Sequence, residues 1–241
     1  MSAARRARQL LLAAVLLAAC GAAAPVVNEL KGHRVDSVRI AGEFKHVDRA
    51  VLERTIAGEI TRGFFEVDVQ AVRAAALELE WVRDASVRRV WPDALHVAIV
   101  EREPVARWNG TALLERDGSL FRPTVLPEDP ALTDLAGPDD AEREVLAALA
   151  RFRAALGDLG GGVERLEMVA RGGWRVGLGN GVELRLAQGQ DASTLRRFAD
   201  VAPGVFAGGM SGIASVDLRY TNGFAVLEKE TRVEGAEESK Q

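Results

Sequence analysis

The chain has 241 residues, room for one or two domains, and at 48% hydrophobic and 27% charged it is too apolar to be mostly disordered. A net charge of −4 argues against a nucleic-acid binder, which carries a basic face. Three histidines and one cysteine leave little for a Cys/His zinc site and exclude an internal disulfide.

Residues 1–8 form a short tail carrying Arg5, Arg6 and Arg8, and Gln9 to Asn28 is free of charge. As a helix, 20 residues reach about 30 Å, one bilayer core. The arginines ahead of the span put the tail in the cytoplasm and the remainder outside it. The expected element is a transmembrane signal anchor over 9–27. A cleaved signal peptide with its apolar run at Leu10 to Leu17 is a second reading. In a third, Leu17-Ala18-Ala19-Cys20 is a lipoprotein cleavage box, against the plainer view of Cys20 as a small apolar helix residue. All three export residues 35–241, and a cysteine-free exported region suits an oxidising compartment.

Residues 28–34 are a polar linker. Val35 to Ile40 then reads as a strand, ended by Ala41-Gly42. Asp48 is placed to cap a helix with Leu52, Ile56 and Ile60 on one stripe, broken at Gly63. Asp68 caps a second helix with Val69, Val72, Ala76 and Leu79. Ala85 to Trp91 is a strand, Pro92-Asp93 a turn, and Leu95, Val97 and Ile99 alternate in a third strand. The order β-α-α-β-β predicts a small domain over 35–103, with strands two and three as a hairpin and both helices on one face.

From Pro104 the pattern is mostly strand and predicts a second domain over 104–228. Val105 to Trp108, Ala112 to Glu115 and Leu120-Phe121 are punctuated by Asn109-Gly110 and Asp117-Gly118, both hairpin signals. Pro123 to Pro138 reads as a proline-rich surface loop. A helix from about Asp140 carries Val145, Leu149, Phe152 and Leu156 and stops at Gly157. Strands follow at Val163 to Ala170, Trp174 to Leu178 and Val182 to Leu186, the last two joined by Asn180-Gly181 as a type I′ turn. A helix from Ala192 to about Val201 ends at Pro203-Gly204, and the final strands are Ile213 to Tyr220 and Phe224 to Glu228. Residues 229–241 are a polar tail expected to fray. The predicted fold class is α+β: an anchor, a small β-α-α-β-β domain, then a mostly antiparallel β-domain with flanking helices.

No catalytic arrangement stands out. Gly177 to Gly181 is glycine-rich but precedes a strand, so it lacks the helix N-terminus that would hold a phosphate. There is no G-x-S-x-G or H-E-x-x-H motif. Glu101 and Glu103 flank Arg102 at the domain junction, where a structural or solvated role is expected. His33, His46 and His96 lack ligand spacing. No catalytic, metal or cofactor residue is therefore assigned, and no enzyme is expected. The informative stretch is Ser215 to Val226. Val216, Leu218 and Tyr220 point one way along it, Asp217 and Arg219 the other. It reads either as a simple terminal hairpin or as an exposed sheet edge able to accept a partner's strand, with Arg219 and Tyr220 as anchors.

Several motifs in order resemble the FtsQ/DivIB family of bacterial cell-division proteins. They are Val38 to Gly42, Gly63-Phe64-Phe65-Glu66-Val67-Asp68, Trp81-Val82, Val87 to Pro92 and Leu95. Next come Glu101-Arg102-Glu103-Pro104-Val105-Ala106-Arg107-Trp108 and Asp117 to Phe121. Gly137-Pro138, Arg171 with Trp174, and Asp217 to Val226 complete the set. Together they cover almost all of 35–228. The resemblance implies a single-pass inner-membrane protein with a POTRA domain and a β-domain in the periplasm, concentrated at the division septum. It implies a non-enzymatic scaffold of the divisome, without cofactor or metal. FtsB and FtsL would bind at the β-domain through its last strand, and FtsK or other upstream division proteins at the POTRA domain. Carried over by motif, the partner-binding positions are Arg219, Tyr220, Asn222, Gly223, Phe224 and Arg171. A second reading is an exported POTRA-containing chaperone-like or lipoprotein module of envelope protein assembly. Chains of that kind carry a membrane barrel of many strands about ten residues long, whereas the strands after Pro104 are short and interrupted by helices.

Overall fold

The computed structural model describes residues 34–60 and 63–229. The expected tail (1–8) and anchor (9–27) lie outside the described residues, as do most of the linker and all of the polar tail but Lys229. Among the described residues, no helix is long and apolar enough to cross a membrane. The chain divides into two compact units between Arg102 and Glu103.

The first unit runs β1 (Ser37–Ala41), α1 (Arg49–Ala57), α2 (Val69–Leu77), β2 (Val82–Val90) and β3 (Ala94–Glu101). Its sheet has the order β1-β3-β2, with β1 parallel and β2 antiparallel to the central β3. Each helix starts where the sequence places an aspartate. Asp48 accepts the Ala50 N–H at 2.8 Å, and Asp68 those of Gln70 at 2.8 Å and Ala71 at 3.3 Å. Such a cap satisfies donors that have no partner within the helix. The first helix is shorter than its apolar stripe, ending at Ala57 with Gly58 as its C-cap, so Ile60 lies beyond it. Leu52, Ile56, Val72 and Ala76 form the buried stripes and meet Leu95, Val97 and Ile99 of β3. The period of two along β3 puts these three on one face and His96 and Ala98 on the other. Burying each large aliphatic side chain contributes about 1.5–3 kcal/mol, which makes this the stabilising layer of the unit.

Glu101 closes the far end of that sheet. Its side chain is only 7% exposed. One carboxylate oxygen accepts the Lys45 and Val47 N–H groups at 3.1 and 2.9 Å, and the other accepts that of His46 at 3.0 Å. The His46 ring stacks on Trp81, 3.9 Å between centroids and 8° between planes. Glu101 is thus a structural acceptor that ties the β1–α1 loop to β3. Buried carboxylates persist when hydrogen-bonded in this way.

The second unit contains β4 (Pro104–Trp108), β5 (Ala112–Glu115), β6 (Leu120–Phe121), β7 (Thr133–Ala136), α3 (Glu142–Leu156), β8 (Val163–Met168), β9 (Trp174–Leu178), β10 (Glu183–Leu186), α4 (Ala192–Val205), β11 (Ile213–Asp217) and β12 (Ala225–Glu228). They form one nine-stranded sheet in the order β12-β11-β10-β9-β8-β7-β4-β5-β6. The expected antiparallel character holds for most neighbours. β4–β7, β7–β8 and β10–β11 are parallel, however, so the sheet is mixed. The last two parallel pairs are joined through α3 and α4, which sit between them in sequence, as parallel pairing requires.

Three local expectations change. The loop Pro123 to Pro138 contains β7, whose Thr133 and Leu135 are buried. Four residues with alternating Asp134 and Ala136 were too short a signal to stand out between prolines. Asn180-Gly181 is not a type I′ turn, because only Gly181 has positive φ, +82°. Leu178 instead accepts the Gly181 N–H and donates to Val182 O, both at 2.9 Å, while the Asn180 side chain accepts the Val182 N–H. This is a turn with a glycine bulge. The type I′ geometry occurs at Asn109 (φ +48°) and Gly110 (φ +68°), closed by Thr111 N–H to Trp108 O at 3.1 Å. Finally, α4 continues through Pro203, because buried Ala202 still accepts the Phe206 N–H at 2.8 Å.

Candidate partner-binding edge

Register turns the second unit's sheet into rows. One row reads Trp108, Leu135, Leu166, Val176, Leu184, Val216, Val226 across seven consecutive strands. Its first six members are buried and belong to the core cluster that also includes the apolar faces of α3 and α4. The seventh, Val226, is 40% exposed, because β12 is the edge strand of the sheet among the described residues. The core row therefore runs out of sheet before it runs out of apolar residues. Every residue of β12 is exposed, and Leu227 is 60% exposed.

The opposite face carries charge. Asp134 pairs with Arg107 at 2.8 Å and Arg165 at 3.3 Å, Glu167 with Arg175 at 3.1 Å, and Glu183 with Arg185 at 2.6 Å. Burial raises the Asp134 pKa, but hydrogen bonds from Arg107 and Arg165 outweigh it and hold this carboxyl below its usual range. Alternating apolar and charged positions along each strand separate the two faces.

The hydrogen bonds beside β12 fix which of its groups point outward. Leu218 N–H donates to Arg185 O at 2.8 Å, toward β10. Alternation then turns the N–H groups of Ser215 and Asp217 toward β12. On β12, Lys229 N–H donates to Gly212 O at 2.8 Å, so Leu227 and Ala225 face β11 as well. Val226 and Glu228 consequently direct their N–H and C=O groups away from the sheet, the pattern an incoming strand pairs with.

Between β11 and β12 lies the loop that holds five of the six residues carried over by motif. β11 stops at Asp217, three residues earlier than expected, and the reason is local. The Asp217 carboxylate accepts both the backbone N–H of Arg219 at 3.0 Å and its guanidinium, with Nε at 2.8 Å from one oxygen. A turn of this kind competes with the ladder and bends the chain out of it. The Arg219 hydrogen bond lowers the Asp217 pKa and, reciprocally, raises that of Arg219. Leu218 stays buried, its carbonyl accepting the Gln190 side-chain amide at 2.8 Å. Tyr220, expected on the side of Val216 and Leu218, lies past the strand end and is 60% exposed. Asn222 and Gly223 are exposed, and a Cβ at Gly223 would meet nothing within 4 Å.

Phe224 differs. It is half-buried, its ring 5.4 Å from Phe198 edge-on and 6.1 Å from Phe206. It pins the loop to α4 and leaves a shallow cavity of about 230 Å³, bordered by Tyr220, Gly223, Arg197 and Val201. Arg171 stands apart. It is exposed in the turn between β8 and β9, at the same end of the sheet as the loop but with β10 between them. Sequence reasoning missed Val226 and Leu227, along with Val201 and Val205, the exposed apolar residues on α4. A usable signal was present: Ala225-Val226-Leu227 is apolar without alternation, as a strand awaiting cover on both faces would be. Among the described residues, no group of three or more His, Cys, Asp or Glu is arranged to hold a metal ion.

Residues 33–102 match the family model "POTRA domain, FtsQ-type", and residues 106–219 match "Cell division protein FtsQ/DivIB, C-terminal". The second match ends at Arg219, so most of the loop and all of β12 lie past it. The chain is 40% identical over 228 residues to the cell division protein FtsQ of Xanthomonas campestris pv. campestris, covering 92% of this chain and 81% of that one. It is 36% identical over 200 residues to the protein of the same name from Shewanella oneidensis, covering 83% and 76%. With that of Coxiella burnetii it shares 30% identity over 189 residues, covering 78% of each.

Proposed function

The chain belongs to the FtsQ/DivIB family of cell-division proteins, and from that premise we propose that it is a non-enzymatic, single-pass inner-membrane scaffold of the divisome. Residues 9–27 anchor it, and the two units stand in the periplasm at the division septum. The second unit captures the FtsB–FtsL pair by strand addition along β12. The first unit receives FtsK or other upstream division proteins, so that the chain links early and late components. The mechanism is binding alone.

The observation that carries this reading is the unfinished edge. Val226 ends a buried apolar row in the open, and Val226 and Glu228 point backbone groups outward that have no strand partner among the described residues. An added strand would satisfy those groups and cover Val226, while Arg219 and Tyr220 at the head of β12 supply side-chain selectivity. Rim charges of this kind set partner choice more than raw affinity.

The test is capture of a purified FtsB–FtsL pair by the full chain, wild type beside Tyr220→Ala. Capture by wild type and its loss in the folded variant supports the scaffold reading. No capture by folded wild type refutes it.

A further inference from the structure

We propose that the β2–β3 hairpin end of the first unit rests on the outer surface of the bilayer that anchors the chain, with Trp91 and Phe65 in the lipid interface. The proposal rests on the anchor reading of residues 9–27. Trp91 is 77% exposed and Phe65 46% exposed. Arg89 brings them to the same end: its Nε donates to Phe64 O at 3.0 Å and its Nη2 to Val67 O, clamping the loop before α2 onto the last residues of β2. Phe64 is buried and Phe65 stacks edge-on against it at 5.1 Å, so one ring fixes the loop and the other is presented outward.

The chain also joins the sheet here. Asp36 N–H donates to Asp93 O at 2.9 Å, and Ser37 pairs with Ala94. Only residues 28–36 separate the anchor from β1, a reach of at most about 30 Å when fully extended. The opposite end of the sheet, at Glu101, lies about 23 Å farther along β3. The tether therefore attaches at this end of the sheet and holds it within about 30 Å of the membrane. Arg39, His96 and Arg88 are cross-strand neighbours on the face away from the helices. The charged residues of these segments are Arg34, Arg39, Arg88 and Arg89, with the acidic groups Asp36, Glu66 and Asp93. Tryptophan with flanking arginine is the chemistry of the membrane interface, where the ring sits at headgroup level and the cation meets anionic lipid. A weak preference suffices, because the tether supplies the local concentration.

The experiment reconstitutes the full chain into vesicles of phosphatidylethanolamine and phosphatidylglycerol with brominated acyl chains and reads tryptophan emission. Trp108 and Trp174 are buried, and Trp81 is stacked on His46 at the far end, so the quenchable emission belongs to Trp91. Expected is quenching in wild type that disappears in Trp91→Phe. It should fall at least twofold in Arg39→Glu/Arg88→Glu, or when phosphatidylglycerol is replaced by phosphatidylcholine. Emission that is equal in brominated and unbrominated vesicles, from chain that floats with them, places the hairpin in water or against a protein. That result overturns this proposal and leaves the anchor intact. Chain that fails to float overturns both.

Discussion

Replacing Val226 with proline separates strand addition from every other way a partner could use this surface. The outward N–H of Val226 takes no part in the β11–β12 ladder, which runs through Ala225 and Leu227. Proline is tolerated on an edge strand when its missing N–H faced solvent. The fold should therefore survive, with a thermal midpoint within a few degrees of wild type. The complex should not. One backbone hydrogen bond has a net worth of about 1 kcal/mol, and the partner carbonyl left unpaired in a dry interface costs a further 1–3 kcal/mol or so. A loss of roughly 2–4 kcal/mol weakens binding by about 30-fold to nearly 1,000-fold. Titration calorimetry of the full chain with a purified FtsB–FtsL pair measures it. Leu227→Pro is the control, since it deletes a ladder donor and should unfold the edge. Unchanged affinity in a stable Val226→Pro chain would refute strand addition, and unfolding by Val226→Pro with a tolerated Leu227→Pro would refute the register.

Tyr220→Ala removes a ring that is mostly in solvent, so partner capture should fall while the melting midpoint stays within about 1 °C, as expected of an exposed site. Phe224→Asp should behave differently and lower the midpoint as well, because the ring packs on Phe198 and Phe206; partner loss in that variant then reports unfolding. Glu101→Ala leaves the N–H groups of Lys45, His46 and Val47 without their acceptor and should destabilise the first unit by about 2–4 kcal/mol in denaturant melts. The Arg219 hydrogen bond lowers the Asp217 pKa in the fold, so its stabilisation is fully present above the ordinary carboxylate pKa and is lost as pH falls through the lowered one. Melting points of wild type and Arg219→Ala should accordingly differ at pH 7 and converge in acid; a gap that persists in acid would refute this assignment.

The positions legible in the sequence were those governed by short-range chemistry. Asp48 and Asp68 mark helix starts because a side-chain oxygen there has only one good use, the orphan donors of the first turn. Leu95, Val97 and Ile99 declare their strand because a period of two with β-branched neighbours suits little else. Asn109-Gly110 marks its turn because both residues tolerate positive φ. What failed had competing local solutions. Asn180 looked equivalent to Asn109, but its side chain is committed to the Val182 N–H, and it keeps negative φ. Tyr220 looked like the next residue of a strand until Asp217 captured Arg219 and bent the chain away.

By itself, then, the sequence determined most of the elements, the division near Pro104 and the family, since caps, periodicity and motif order act within a few residues or along an unbroken line. Tertiary structure alone decided that β7 fills the place between β4 and β8. It alone decided that three strand pairs are parallel, and that the apolar row from Trp108 ends uncovered at Val226. Those facts depend on which strands become neighbours, a choice settled by burial across the whole sheet and written in no single segment of the chain.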